Sequence, residues 1–444
     1  MANISDQVKT VILVMMENRS FDHMLGHMTL DDPGLKMDGL RSESMPGYRN
    51  DYEGELYPVY ELTTDQELDF DVPHEFTDVA TQLQRNDVTG KFTMHGFVQA
   101  YANAGHIPNP QCIPMAYFPS KLVPITNFFA RNFCSCDRWF APIPTSTQPN
   151  RTMALCGDTE IFRTHLQLIP IGLNLFDWME ANGIRWKVYH DGFSFFALYN
   201  KLWKYVLGPG FKRFSEFHSD QIRDPTNSDP EVIIIEPCYA DAPHLGTKHP
   251  NDNHAPLAIG WGEDFLRQVY LAVTANQKRW ENTVMILYYD EHGGFFDHAV
   301  PPDIQYRTTG NSNRLFTSLG PRIPGLIISP FVQPGSVFSK LLDHTSILQF
   351  LAEKFTPGKS FSKTVNDRMA KGIQSISEII SEQPKRPIPR VPSVKINVQT
   401  ALGKYIPVSQ PTMMEQSFAN AANELLRQKP LEAMAKYPEL AGWK

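Results

Sequence analysis

KTVILVMMENRSFD, residues 9–22, carries the reading of the whole chain. The run from Lys9 to Met15 is short, apolar and rich in Val and Ile, and polar residues follow at once. That is the pattern of a buried strand whose end delivers a loop. Glu17 then sits at the strand's carboxyl end. Similar runs recur at Arg185 to Tyr189, Val232 to Glu236, Thr283 to Asp290 and Pro324 to Ser329, separated by segments long enough for crossover helices. The spacing between them predicts helices over Asn174 to Asn182, stopped at Gly183, over Gly260 to Gln277, and over Asp343 to Phe355, closed by Pro357. The expected fold is therefore α/β, a mostly parallel central sheet sandwiched between helices.

Beyond Phe355 the texture changes. QPKRPIPRVPSV, residues 383–394, is too rich in proline for helix or central strand and reads as an extended, exposed linker. We place a boundary near residue 380: residues 1–380 form the main domain, and 381–444 a linker and small C-terminal extension packed on it, with a helix over Met413 to Arg427. In a chain of 444 residues, 42% hydrophobic and 11% aromatic content supports a sizeable core. Forty-one basic against forty-eight acidic residues, with no long run of either sign, make nucleic acid a poor partner. No apolar run reaches the roughly 18–20 residues of a spanning helix, so no transmembrane segment is expected. The N-terminus lacks the features of a Sec leader, which fits a cytoplasmic protein, export by a leaderless route, or a mature chain whose leader has been removed. Five cysteines, an odd number, do not form a disulfide framework, and Cys134 and Cys136 lie too close together for a zinc knuckle.

Three constellations carry chemistry. Glu17 and Asn18 offer a carboxylate and an amide oxygen side by side at a strand end, where open α/β sheets bind ligands; Ser20 or Asp22 capping a helix in a solvated loop is the plainer reading. Asp290 and Glu291 follow another buried strand, and two adjacent acids repel each other unless a cation neutralises them. Gly293 and Gly294 let the backbone turn closely there. In PTSTQPNR, residues 144–151, Thr147 is a hydroxyl before a proline turn, and Asn150 and Arg151 are donors suited to phosphate oxygens; a Ser/Thr-rich loop is the plainer alternative. His292 and His298 gain interest from the acidic pair beside them, and Asp252 could orient His254. His344 is weaker, a support for a helix start.

Six segments in order, ENRSFDHMLG (17–26), CDRWF (136–140), TQPNR (147–151), NDNHAP (251–256), YDEHGGFFDHAVPP (289–302) and DHTSILQFLAEKF (343–355), resemble the phosphoesterase family of bacterial phospholipases C, plant non-specific phospholipases C and related acid phosphatases. Ala255 and Ala299 depart from the family's strings without removing a ligand. The resemblance implies an alkaline-phosphatase-like fold. It also implies metal ligation by Glu17, Asn18, Asp290 and Glu291, a Thr147 nucleophile that joins the metal, and His74 (in DVPHEF, 71–76) and His254 lining a phosphate site. We expect one or more divalent ions (Zn, Ca, Mg or Mn), with Thr147, His254, His74 and Asn150 catalytic and His292, His298 and Asp252 on the substrate.

The expected reaction is phospholipase C cleavage of phosphatidylcholine-type lipids through a phosphothreonine, with acid phosphatase action on soluble monoesters as the alternative. A catalytically silent lipid-binding scaffold is the reading of another class. Aromatic density at Phe193, Phe195, Phe196, Tyr199, Trp203, Tyr205, Phe211, Phe214 and Phe217 reads either as a wall for acyl chains and peripheral membrane contact or as helix core.

Overall fold

The computed structural model describes residues 7–65, 68, 70–86, 88–243, 249–396 and 411–442. Its main sheet holds eight strands: β1 (Thr10–Met16), β2 (Cys134–Cys136), β3 (Trp186–His190), β4 (Phe211–Arg213), β5 (Val232–Glu236), β6 (Thr283–Tyr289), β7 (Gly325–Ile328) and β8 (Ser336–Phe338). Their order is β8-β2-β7-β6-β1-β5-β3-β4. β1 pairs in parallel with β6 on one side and β5 on the other, so the sheet's most buried strands lie at its middle. All pairings are parallel except the two made by β7, which runs against β6 and β2.

The reversal of β7 has a simple cause. A parallel return needs a crossover, usually helical, and residues 290–324 contain loops and one short hairpin but no helix. β2 and β8 escape sequence reading because three residues apiece leave no apolar run long enough to count.

Seven of the helices position the site or cover the sheet: α1 (Phe21–Leu25), α2 (Pro124–Asn132), α3 (Thr147–Cys156), α4 (Leu175–Ala181), α5 (Gly260–Val273), α6 (Thr345–Phe355) and α7 (Met413–Gln428). α4 begins where Asn174 accepts a hydrogen bond from the Asp177 backbone, a side-chain cap on the helix start. α5 stops at Val273, short of the Gln277 read from its apolar spacing, and a separate turn follows over Gln277–Trp280. α5 packs on α2, and α6 on α3, flanking the sheet.

The linker at residues 383–394 has no helix or strand, but it is not wholly exposed: Ile388, Val391 and Val394 rest half-buried against the core. α7 puts Met414, Phe418, Ala421, Ala422 and Leu425 into the same hydrophobic cluster as the sheet. The aromatic insertion is core rather than a surface wall. Phe193, Phe195, Tyr199, Trp203, Phe211 and Phe217 are buried, and Phe196, Tyr205 and Phe214 pack against the cluster, because burial removes large rings from water. A separate cluster built on Val59, Val79, Phe97 and Tyr101 forms a small lobe around residues 48–117, which carries His74 and Gln82 toward the sheet. All five cysteines are buried thiols outside any disulfide, and among the described residues no helix is long and apolar enough to cross a membrane.

Candidate active site

β1 and β6 are adjacent and in register, Met16 opposite Tyr289, so the residues after each strand emerge side by side. This is why Glu17-Asn18 and Asp290-Glu291, 272 residues apart from Asn18 to Asp290, meet: the Asn18 backbone N–H donates to Asp290 Oδ1 at 3.0 Å. Asn18 takes a left-handed φ of 59° to make the turn. Gly293 has a φ of 63°, and a Cβ there would lie 2.0 Å from the Asn18 carbonyl oxygen. A side chain at 293 would push the two loops apart. The paired glycines thus let one loop pass against another; Gly294 meets Pro73 in the same way.

Thr147 is the first residue of α3, preceded by Ser146. Pro149 is tolerated because a helix's first turn has no intrahelical partner for its N–H, so the stretch read as a loop is a helix start. Thr147 Oγ1 lies 3.2 Å from Asn18 Oδ1. That end of the Asn18 amide also lies 2.9 Å from Glu291 Oε1 and 3.1 Å from Asp290 Oδ1, while its other end lies 2.8 Å from His254 Nε2 and 3.1 Å from His74 Nε2. With the amide oxygen toward the acids, four oxygens face one another with no proton to bridge the carboxylates and amide. That donor set suits a divalent cation; with the amide turned over, its NH₂ donates to these oxygens and its oxygen accepts from His254 and His74.

Glu17 stands slightly apart from these four. Its Oε1 lies 3.0 Å from Arg151 and accepts no hydrogen bond, and its Oε2 lies 3.4 Å from His254 Nδ1. Burial pushes its carboxyl up to about 8 against the opposing pull of Arg151 and His254. A buried carboxylate oxygen of Glu17 that accepts no hydrogen bond, close to two further acids and a hydroxyl, fits the divalent ion that the sequence implies.

His254 is ringed by acids: Asp71 Oδ1 at 3.1 Å from Nε2, and Asp241 Oδ2 at 3.3 Å from Nδ1. Burial opposes its charge, yet Asp71, Asp241 and Glu17 hold its pKa well above the ordinary range. For His74 burial likewise opposes charge, and Asp71 and Glu291 raise it to about 9. Asp71, although it opens the DVPHEF string, and Asp241 did not stand out in the sequence as partners of His254; only packing brings them to the imidazole.

Five residues sit differently from their expected roles. Asn150 does not face phosphate: its amide accepts from Ile143 N at 3.1 Å and donates to Thr145 O and Ser146 O at 2.8 and 3.1 Å, clamping the loop that presents Thr147. Asp252 does not touch the imidazole of His254; its oxygens accept from the backbone N–H groups of Ala240 and His254 and shape the turn. His298 belongs to another network, with Nδ1 2.6 Å from Asp22, Nε2 3.2 Å from Asp38, and Arg322 bridging Asp22 and Asp297. His292 is wholly buried between Gln82 and Glu291 and lines the acid pair from behind. His344 supports more than a helix start: Nε2 lies 2.7 Å from the Asp290 carbonyl and Nδ1 accepts from Trp139, while burial lowers its pKa to about 4, so the neutral ring props the acidic loop.

The phosphoesterase family profile matches residues 8–356, which span β1 through α6 and every one of these site residues. The chain belongs to the phosphoesterase family.

As a member of that family it is a phosphoric ester hydrolase. It is similar to non-specific phospholipase C3 of Arabidopsis thaliana, 28% identical over 424 residues that cover 88% of this chain and 78% of that one. It is also similar to a non-hemolytic phospholipase C of Burkholderia pseudomallei, 26% identical over 416 residues that cover 78% and 55%. Among solved structures, a protein in the alkaline phosphatase superfamily from Vibrio parahaemolyticus aligns at a TM-score of 0.34 and 11% identity, covering 53% of this chain and 60% of that one.

Proposed function

We propose that this phosphoesterase is a metal-dependent phospholipase C that cleaves phosphatidylcholine-type lipids into diacylglycerol and a phosphorylated head group through a phosphothreonine at Thr147. The observation that carries the reading is the position of Thr147 Oγ1, buried at a helix start and 3.2 Å from the Asn18 amide, which itself touches Asp290 and Glu291. Phospholipase C is the activity in the names of both relatives, and it is the reason for preferring a lipid diester.

Asn18, Asp290, Glu291 and Thr147 would hold the cation, with Glu17 completing the set from the Arg151 side. When bound, a divalent ion lowers the pKa of the Thr147 hydroxyl and neutralises charge on phosphoryl oxygens. Thr147 releases its hydroxyl proton to solvent, its Oγ attacks phosphorus, and the bond from phosphorus to the glyceryl oxygen breaks. His254, held charged by Asp71 and Asp241, gives its Nε2 proton to the departing alcohol. Water then attacks the phosphothreonine, passing a proton back to His254; the bond to Thr147 Oγ breaks, and the leaving alkoxide takes a proton from solvent to restore the hydroxyl. His74, between Asp71 and Glu291, supplies a second cationic imidazole for the phosphoryl oxygens.

The deciding experiment compares phosphocholine release from phosphatidylcholine vesicles with hydrolysis of a soluble aryl phosphomonoester, using protein whose metal content has been measured. The lipid should be the better substrate by kcat/KM. Exclusive action on the monoester would instead make the protein an acid phosphatase, and turnover of neither by metal-replete protein would leave only the silent lipid-binding scaffold.

A further inference from the structure

Arg151 reads in the sequence as a phosphate-binding donor, but the structure turns it inward. It is only 6% exposed. Nε donates to Asp290 Oδ2 at 3.0 Å, Nη1 donates to the Tyr239 hydroxyl at 3.0 Å, and Nη2 lies 3.0 Å from Glu17 Oε1. Its guanidinium lies 4.7 Å from the centroid of the Phe195 ring and 5.0 Å from that of Tyr239, so two aromatic faces hold it.

Arg151 thus takes one oxygen from an acid at each strand end and leaves the other to face the site: Asp290 Oδ1 toward Asn18, and Glu17 Oε2 toward His254. A planar fork can bridge two carboxylates in this way; a lysine ammonium is a single point charge on a flexible stem and cannot hold both orientations. Three carboxylates converge here, and one fixed positive charge behind two of them offsets their repulsion before any ion arrives.

We propose that Arg151 is a positioning residue that braces Glu17 and Asp290 across the ends of β1 and β6, and that this bracing, rather than contact with substrate, is how it supports divalent-ion binding and turnover. The inference rests on the reading of Asn18, Asp290, Glu291 and Thr147 as the cation's ligands. The aromatic insertion that supplies Phe195 is accordingly part of the brace.

The test is calorimetric titration of Mn²⁺ into chelator-stripped wild type, Arg151→Lys, Arg151→Met and Tyr239→Phe, with KM and kcat measured at saturating Mn²⁺. Arg151→Lys and Arg151→Met should bind Mn²⁺ at least about tenfold more weakly, and Tyr239→Phe, which removes only the acceptor hydroxyl, about threefold more weakly. The rise in melting temperature on adding Mn²⁺ should shrink in step, and kcat should fall in Arg151→Lys while KM and competitive inhibition by inorganic phosphate change little. Mn²⁺ affinity unchanged in both arginine variants overturns the proposal, as does loss of phosphate affinity with Mn²⁺ binding intact, since that would make Arg151 a substrate contact. If Arg151→Met does not fold, Arg151→Lys and Tyr239→Phe decide the matter. Wild type that binds Mn²⁺ yet cleaves neither ester defeats the proposed function and leaves the brace testable by affinity; wild type that binds no divalent ion defeats both.

Discussion

Thr147 is held in place by its neighbours in the chain. Asn150, one helical turn on, bonds back to the loop, and Ser146 precedes the helix, so the hydroxyl is carried on a rigid start rather than on a mobile loop. A side chain whose only hydrogen bond at the site, among the described residues, is to Asn18 contributes little to holding the cation compared with Asp290 and Glu291. Thr147→Ala should therefore lower turnover by a factor on the order of 10⁴ or more while leaving the cation largely bound. Metal analysis beside single-turnover kinetics would check this, and near-normal turnover in the variant would remove Thr147 as the nucleophile. Much of this was legible at the level of single residues: the acids after strands and the hydroxyl in TQPNR are all at the site. Asn150, Asp252 and Arg151 were legible as polar residues near it but not in their roles, because the direction in which an amide, carboxylate or guanidinium points depends on neighbours far away in the chain.

At the scale of elements, the strand ends are where chemistry and architecture coincide. β1, β5 and β6 appear in the sequence as continuous apolar runs because strands covered on both faces need no polar alternation. The sense of β7 did not appear, since it depends on the absence of a crossover in residues 290–324. α7 was read as a helix from its spacing, and its Thr412–Glu415 capping box is the corresponding start signal; what it covers was not legible. Gln148, next to Thr147, donates to Ser417 at 2.7 Å, and Thr412 donates to Asp241, which faces His254. Phe418 is fully buried against Phe193, Phe195 and Tyr239. Phe418→Ala should cost about 3–5 kcal/mol by opening a cavity under the aromatic insertion. Equilibrium urea unfolding would show a lower midpoint; an unchanged midpoint would mean that α7 is a loose appendage. The division near residue 380 stays our proposal for the chain's organisation, in the form of a catalytic body with an extension sharing its core rather than a second independent fold.

Across the whole molecule, distant loops are bolted together by buried ion pairs. Asp22, Asp38, Asp297, His298 and Arg322 join the start of α1, the following loop, the segment after the acid pair and the approach to β7. Burial disfavours the His298 imidazolium, but Asp22 and Asp38 raise its pKa from 6.5 to about 10. A raised folded pKa means that its stabilisation is fully present below about pH 6.5, the unfolded value, and is lost as pH climbs through about 10. His298→Gln should therefore destabilise by on the order of 2–3 kcal/mol at pH 6, and the gap from wild type should close toward pH 10. Unfolding curves across that range would check the sign, and a gap that widens with pH would contradict the assignment.

By itself the sequence determined the α/β class and five of the sheet's strands, because buried strands leave apolar runs, and the family resemblance singled out the acids and the hydroxyl that the fold brings together. Only the tertiary structure decided that Asn18 stands between the acids and two imidazoles, that Asp71 and Asp241 surround His254, that Arg151 faces inward, and that the aromatic insertion is core. Each of these depends on pairs of residues separated by tens to hundreds of positions, and the energy of such a contact is set by distance and direction in the folded chain, which no local run of residues encodes.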